Sequence, residues 1–253
     1  MEGDLGSKGE KTLDGRILPP RSVIIGNDID VSEVVKVLIK YYFPHAKVIY
    51  DPTCGEENYQ FNDWILQEEY QKKYDYIASD IKRTKWSMFQ ADVFKLPLRD
   101  NSVDIIVYDP PYLPYPRTDS RGEDYDIATI SSPLKILEFY SGKIFKEFYR
   151  ICRQGIIVKC ADFYYPVNTN NFYPILAYVC PKIMSLFKIV AIHIYRYFHQ
   201  MTTLLQYRLS KITLKHRRAF TVHSYYIVAY KRKLKMIENK KEKVYQDLIT
   251  NYM

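Results

Sequence analysis

Short runs of β-branched and aromatic residues alternate along this chain with segments whose apolar residues recur every third or fourth position. "SEVVKVLIKYY" places Val34, Val35, Leu38 and Ile39 on one helical face, with Asp30 or Ser32 available as its cap. "KVIYDPTCG" follows as a strand ended by Pro and Gly. "FNDWILQEEYQKKY" fits a helix, "DYIASDI" a second strand, "MFQADVF" a third, and "SVDIIVYD" a fourth, the most apolar. "PLKILEFYSGKIFKEFYRICR" has the period of one long amphipathic helix, and "QGIIVKCAD" is a fifth strand. "LFKIVAIHIYRY" and "HSYYIVAYKRK" supply strands six and seven, whereas "ILPPRSVIIGNDI" reads as irregular because of its proline pair. Strands alternating with helices predict an α/β domain, a doubly wound and mostly parallel seven-stranded sheet with helices on both faces.

Such sheets bind ligands beyond the carboxyl ends of their strands, at the switch point in strand order. Four predicted strand tips carry a carboxylate: Asp51, Asp80, Asp92 and Asp109. An isolated Asp there is commonly a turn former. Recurrence at strand-plus-helix spacing is less ordinary. Gly55, in "DPTCGEEN", lets the backbone turn sharply under a ligand, although the loop is neither a G-x-G-x-x-G nor a Walker motif. Asp80 stands where a ribose diol would be accepted, and Asp92 could take an adenine amino group with Val93 and Phe94 packed on its face.

"VDIIVYDPPYLP" is the most specific stretch. One proline would end the strand; here an acceptor, Asp109, and a ring, Tyr112, flank a stiff pair, Pro110 and Pro111. An exocyclic amino nitrogen on a base is a poor nucleophile because its lone pair is delocalised. A carboxylate (Asp109) and a carbonyl outside sheet pairing (Pro110) can accept both of its hydrogens and favour a pyramidal nitrogen. Tyr112 offers a face on which the base stacks. Positioning then does most of the catalysis, and a base inside a duplex would have to be flipped out.

Composition narrows the partner. Hydrophobic residues at 47% and charged residues at 26% support a full core rather than disorder. The net charge of +8 is uneven: residues 182–253 hold 15 Lys and Arg against 3 Asp and Glu, and residues 1–181 hold 22 against 26. An acidic front and a basic rear point to a polyanion such as a nucleic acid, although a solvated C-terminal helix would carry the same charge. Cys54, Cys152, Cys160 and Cys180 form no C-x-x-C pair and read as reduced thiols of a cytoplasmic protein. No apolar run spans a membrane, no apolar leader opens the chain, and no His, Asp or Glu cluster has metal-ligand spacing, so no metal is expected.

These motifs carry a resemblance. The chain is similar to the class I (Rossmann-like) S-adenosylmethionine-dependent methyltransferases, and within them to the DNA amino-methyltransferases of the adenine-N6 and cytosine-N4 type. "YDPTCGEEN" resembles their cofactor loop, with the second glycine missing, and "YDPPY" matches their catalytic motif. "FYRICRQGIIVKCADF" resembles their helix–strand passage R-x-L-K-P-G-G-hydrophobic-K, with Gln154-Gly155 in place of Pro-Gly-Gly, and "RRAFTVHSYYIVAYKR" is similar to their closing strand. The resemblance covers residues 20–233.

It implies a sheet with one antiparallel strand and S-adenosylmethionine as cofactor, held by Asp51, Thr53, Cys54, Gly55, Asp80, Ile81, Asp92, Val93 and Asp109. It assigns catalysis to Asp109, Pro110, Pro111 and Tyr112 and favours adenine N6 as acceptor. RNA base amino-methylation and cytosine N4 remain the alternatives. Tyr112, Tyr115, Arg117, Arg217 and Arg218 are candidate substrate contacts, within two candidate recognition segments, residues 113–133 and 196–220. Residues 1–15 read as a flexible start, 16–233 as the catalytic domain and 234–253 as a basic helix or tail; a homodimer would offer a further recognition surface.

Overall fold

The computed structural model describes residues 23–25, 31–56, 61–111, 133–164, 172–196 and 223–233. Ten strands are seen among them: β1 (Val23–Ile25), β2 (Val48–Asp51), β3 (Asp75–Asp80), β4 (Phe89–Gln90), β5 (Val103–Tyr108), β6 (Cys152–Cys160), β7 (Phe163–Tyr164), β8 (Phe172–Tyr173), β9 (Phe187–Arg196) and β10 (His223–Lys231). Five helices accompany them: α1 (Val31–Tyr42), α2 (Glu68–Gln71), α3 (Pro133–Glu138), α4 (Gly142–Ile151) and α5 (Ile175–Met184).

Eight strands form one sheet in the order β1-β9-β10-β6-β5-β2-β3-β4, and β7 pairs β8 apart from it. All seven expected strands are present. β10 runs antiparallel between β6 and β9, and the other neighbouring pairs are parallel. This is a Rossmann-like, doubly wound sheet with one antiparallel strand, as expected. β5 is buried along its whole length, as a central parallel strand must be. The two faces hold separate cores. One gathers Val34, Leu38, Phe43, Trp64 and Ile105 under α1; the other gathers Ile106, Phe145, Phe148, Val179 and Ile183 under α4 and α5.

Several elements depart from the periodicity. Val23–Ile25, expected to be irregular, is an eighth strand at the sheet edge, parallel to β9. The helix expected over 61–74 is a 3-10 turn, Asn62–Leu66, then the four residues of α2, because Gln67 is extended (φ −66°, ψ 140°). That break lets Trp64, Tyr70 and Tyr74 pack together, with Trp64 edge-on to both tyrosines. The long helix over 133–153 is two helices. The Tyr108 hydroxyl, from β5, donates to the Phe139 carbonyl at 2.8 Å and so satisfies the interruption, while buried Tyr140, in the interruption, donates to the Lys159 carbonyl of β6 at 3.0 Å and ties it to the sheet. α1 starts before Ser32, which therefore lies inside the helix and is not its cap. β4 has two residues where a longer strand was expected.

Gly155 marks the tightest approach in the sheet. A Cβ placed there would lie 2.2 Å from the Ala229 carbonyl oxygen on β10 and 2.9 Å from the Phe43 ring. Backbone cannot yield as a flexible side chain can. Gly155→Ala is expected to lower stability by about 3 kcal/mol or more, read as a drop in the urea midpoint; an unchanged midpoint would mean that β10 sits further from β6 than it does here.

Candidate functional site

β2 is flanked by β5 on one side and β3 on the other, so the chain leaves the sheet in opposite directions at this pair. This is the switch point, and the candidate residues come together at its carboxyl edge. Asp51 ends β2 and is fully buried. Its Oδ1 accepts the Thr53 N–H at 3.0 Å and its Oδ2 accepts the Tyr76 hydroxyl at 3.3 Å. Burial pushes this carboxyl up to about 8, and the nearby Asp109 and Asp80 charges push the same way against those two hydrogen bonds.

The loop after β2 is fastened at both ends of the site. Gly55, at φ +61°, takes the left-handed conformation that glycine adopts without strain, and its N–H points at Asp80 Oδ2 (3.0 Å). Asp80 Oδ1 accepts the Lys82 N–H at 3.2 Å. Asp80 thus shapes the loop after β2. On the other side the Asp109 N–H donates to the Thr53 hydroxyl at 3.2 Å. Cys54 is buried against Thr84, with Sγ and Oγ1 3.4 Å apart, and burial pushes its thiol up to about 12. It lines the loop as a small apolar group rather than as a nucleophile.

Asp92 shapes its own turn. Its Oδ1 accepts the Phe94 N–H at 2.9 Å and its carbonyl accepts the Lys95 N–H at 2.9 Å. Val93 packs into the core, while Ile81, just beyond Asp80, is 65% exposed at the edge, an apolar surface beside a carboxylate. The core continues to Tyr108, the last residue of β5 paired with β6, and Pro110 and Pro111 lie beyond the pairing. Tyr112, Tyr115, Arg117, Arg217 and Arg218, both termini and both recognition segments, except for their bordering residues Pro133 in α3 and Arg196 in β9, fall outside the described residues.

Two residues at this edge were not foreseen. Lys159, on β6, is 4% exposed, and its Nζ lies 2.9 Å from Asp109 Oδ2. Asp162, two residues beyond the end of β6, accepts the Leu176 N–H at 2.9 Å and the Tyr225 hydroxyl at 3.2 Å, so it caps the first turn of α5 from a distance. The signal for Lys159 was in "IIVKCAD": a lysine within an apolar strand needs an anionic partner. Among the described residues no group of His, Cys, Asp and Glu could hold a metal ion, and no helix is long and apolar enough to cross a membrane.

No family model and no curated protein matches the chain. Solved structures do resemble it in shape. Geranyl diphosphate methyltransferase in complex with S-adenosylmethionine is 8% identical, with 79% of this chain and 85% of that one covered and a TM-score of 0.46. A protein from Pyrococcus horikoshii is 13% identical over 79% and 89%, with a TM-score of 0.45. A SAM-dependent methyltransferase from Methanosarcina mazei is 12% identical over 77% and 96%, with a TM-score of 0.41. Likeness at this level says nothing about substrate; the chemistry has to be read from this chain's own residues.

Asp51 makes stability depend on pH. The unfolded carboxyl releases its proton near 3.8 and the folded one near 8. Between those values only the unfolded state is ionised, so this group's contribution is complete at the acid end and is lost as pH rises through the window. Asp51→Asn removes that slope. Thermal melts across the window should show the variant gaining on the wild type as pH rises; a constant difference would contradict the buried, protonated carboxyl.

Proposed function

We propose that the chain is an S-adenosylmethionine-dependent methyltransferase that modifies the exocyclic N6 amine of adenine in DNA. The observation that carries the reading is the Asp-Pro-Pro-Tyr tip at the switch point of a Rossmann-like sheet, with Asp109 tied by its backbone to Thr53 of the neighbouring loop. The edge also suits the cofactor. Asp80, at the end of β3 and facing the loop after β2, gives this edge a carboxylate, which favours a ligand with an ammonium and a sulfonium. Asp51 and the 53–55 loop would hold its methionine part, Asp80 its ribose, and Ile81, Asp92 and Val93 its adenine. Bound there, S-adenosylmethionine supplies a methyl group that a nitrogen takes as the carbon–sulfur pair stays with sulfur, leaving a proton on nitrogen to be lost to solvent.

The chain's own part is positional. Asp109 and the Pro110 carbonyl accept the two amino hydrogens, and Tyr112 stacks on the base. The Lys159 ammonium balances the Asp109 charge, so this tip favours an uncharged amino group over an ammonium such as a lysine side chain. The basic rear of the sequence supports a nucleic acid as carrier of that group. Cytosine N4 and RNA bases offer the same kind of nitrogen and are the alternative acceptors.

Asp109→Ala should slow methyl transfer to adenine-containing duplex DNA by about 100- to 1000-fold, with S-adenosylmethionine affinity little changed. Tyr112→Ala should weaken nucleic-acid engagement by about 1–3 kcal/mol and Tyr112→Phe by less, since the ring remains. Rates and melting temperatures on the same three variants separate function from structure. An Asp109→Ala enzyme that turns over normally, or that melts early while keeping its rate, would reduce the tetrapeptide to a strand stop.

A further inference from the structure

We propose that Lys159 is a positioning residue for this reaction: through its ion pair with Asp109 it fixes the carboxylate that receives the substrate amino group. The inference rests on the function proposed above. Tyr108 pairs with Val158 across β5 and β6, so Asp109 and Lys159 follow one another into the same level of the site. The Lys159 side chain is 5% exposed and that of Asp109 15%, with 2.9 Å between Nζ and Oδ2. On its other side, Lys159 is register partner to Tyr226 on β10, and its ammonium lies 5.9 Å from the Tyr226 ring. The Tyr140 hydroxyl bonds the Lys159 carbonyl, so the backbone that carries the ammonium is itself held.

Burying such a pair is poor value for stability alone, because desolvation of both charges offsets their attraction and an apolar pair of similar size does as well. Its use is local. Asp109 hangs from the end of a strand, beyond the last paired residue, and a carboxylate there has rotamer freedom that pairing with a fixed ammonium removes. The pair also brings a cation to an edge that already gathers Asp51 and Asp80. Asp51 shows the alternative: among the described residues it has no ion-pair partner, and burial drives it toward the protonated form, in which one oxygen becomes a donor. An amino group offering two hydrogens needs acceptors. Lys159 does not touch the reacting atoms; it acts through Asp109.

The test compares Lys159→Met, which keeps the stem and removes the charge, with Asp109→Asn and the double variant. The readouts are kcat on adenine-containing duplex DNA at saturating cofactor, S-adenosylmethionine affinity by calorimetry, and melting temperature. Lys159→Met should lower kcat by about 10- to 100-fold with affinity for the cofactor within about threefold of wild type, and the double variant should be no slower than Asp109→Asn alone, since residues acting as a unit are not additive. Wild-type kcat in Lys159→Met, or losses that multiply in the double variant, would overturn the inference. Should Lys159→Met fail to fold, the double variant, whose pair is neutral, carries the comparison: a rate equal to that of Asp109→Asn supports the inference and a further drop overturns it. An active wild type with an indifferent Lys159 sinks the inference alone. A wild type that methylates neither duplex DNA, single-stranded DNA nor RNA sinks the proposed function, and the inference with it.

Discussion

Two hydrogen bonds from backbone N–H groups hold the candidate site in shape. The Gly55 N–H on Asp80 closes the loop after β2 against β3, and the Asp109 N–H on the Thr53 hydroxyl closes it against β5. Between them the loop after β2 bridges all three strand tips across the switch point, where the sheet itself leaves a crevice. Everything proposed about the site depends on that bridge. It spans the edge where strand pairing sets Asp51, Asp80 and Asp109, which couple electrostatically, and it ties down Asp109, where the chain leaves the sheet. Gly55 makes the bridge feasible, because its left-handed backbone would strain any residue with a Cβ.

The sheet behind this edge was largely legible in the chain. Seven runs of β-formers became seven strands, because a buried parallel strand has to be apolar and β-branched whatever its surroundings. The helical segments were less legible, for a physical reason. Periodicity over 133–153 is continuous, yet Tyr108 reaches from β5 to the Phe139 carbonyl where the helix divides, and Tyr140 reaches from the division to the Lys159 carbonyl on β6. The aromatic cluster of Trp64, Tyr70 and Tyr74 likewise shortens the expected helix after β2 to a turn and a single coil. The bond between Tyr108 and Phe139 joins residues 31 apart, so no local pattern contains the break in the longer helix.

At the site the carboxylates were legible from spacing alone, since strand-plus-helix lengths return to the same edge. Their partners were not. Asp80 and Asp92 each accept backbone N–H groups, so each also shapes a turn, which a strand-tip pattern does not reveal. Lys159 carried a signal, a charge inside an apolar strand, but its partner became visible only when β5 and β6 were placed side by side. Asp162, two residues past β6, was not foreseen, because the N–H it caps lies 14 residues further on, in α5.

The activity proposed for this edge is methylation of an uncharged nucleobase amine, adenine N6 in DNA. Its most direct test is to incubate the protein with methyl-labelled S-adenosylmethionine and duplex DNA, single-stranded DNA or total RNA, digest each to nucleosides and identify the labelled one. The account predicts label in N6-methyldeoxyadenosine. Label confined to methylated cytidines, to RNA nucleosides or to no nucleoside at all would contradict it.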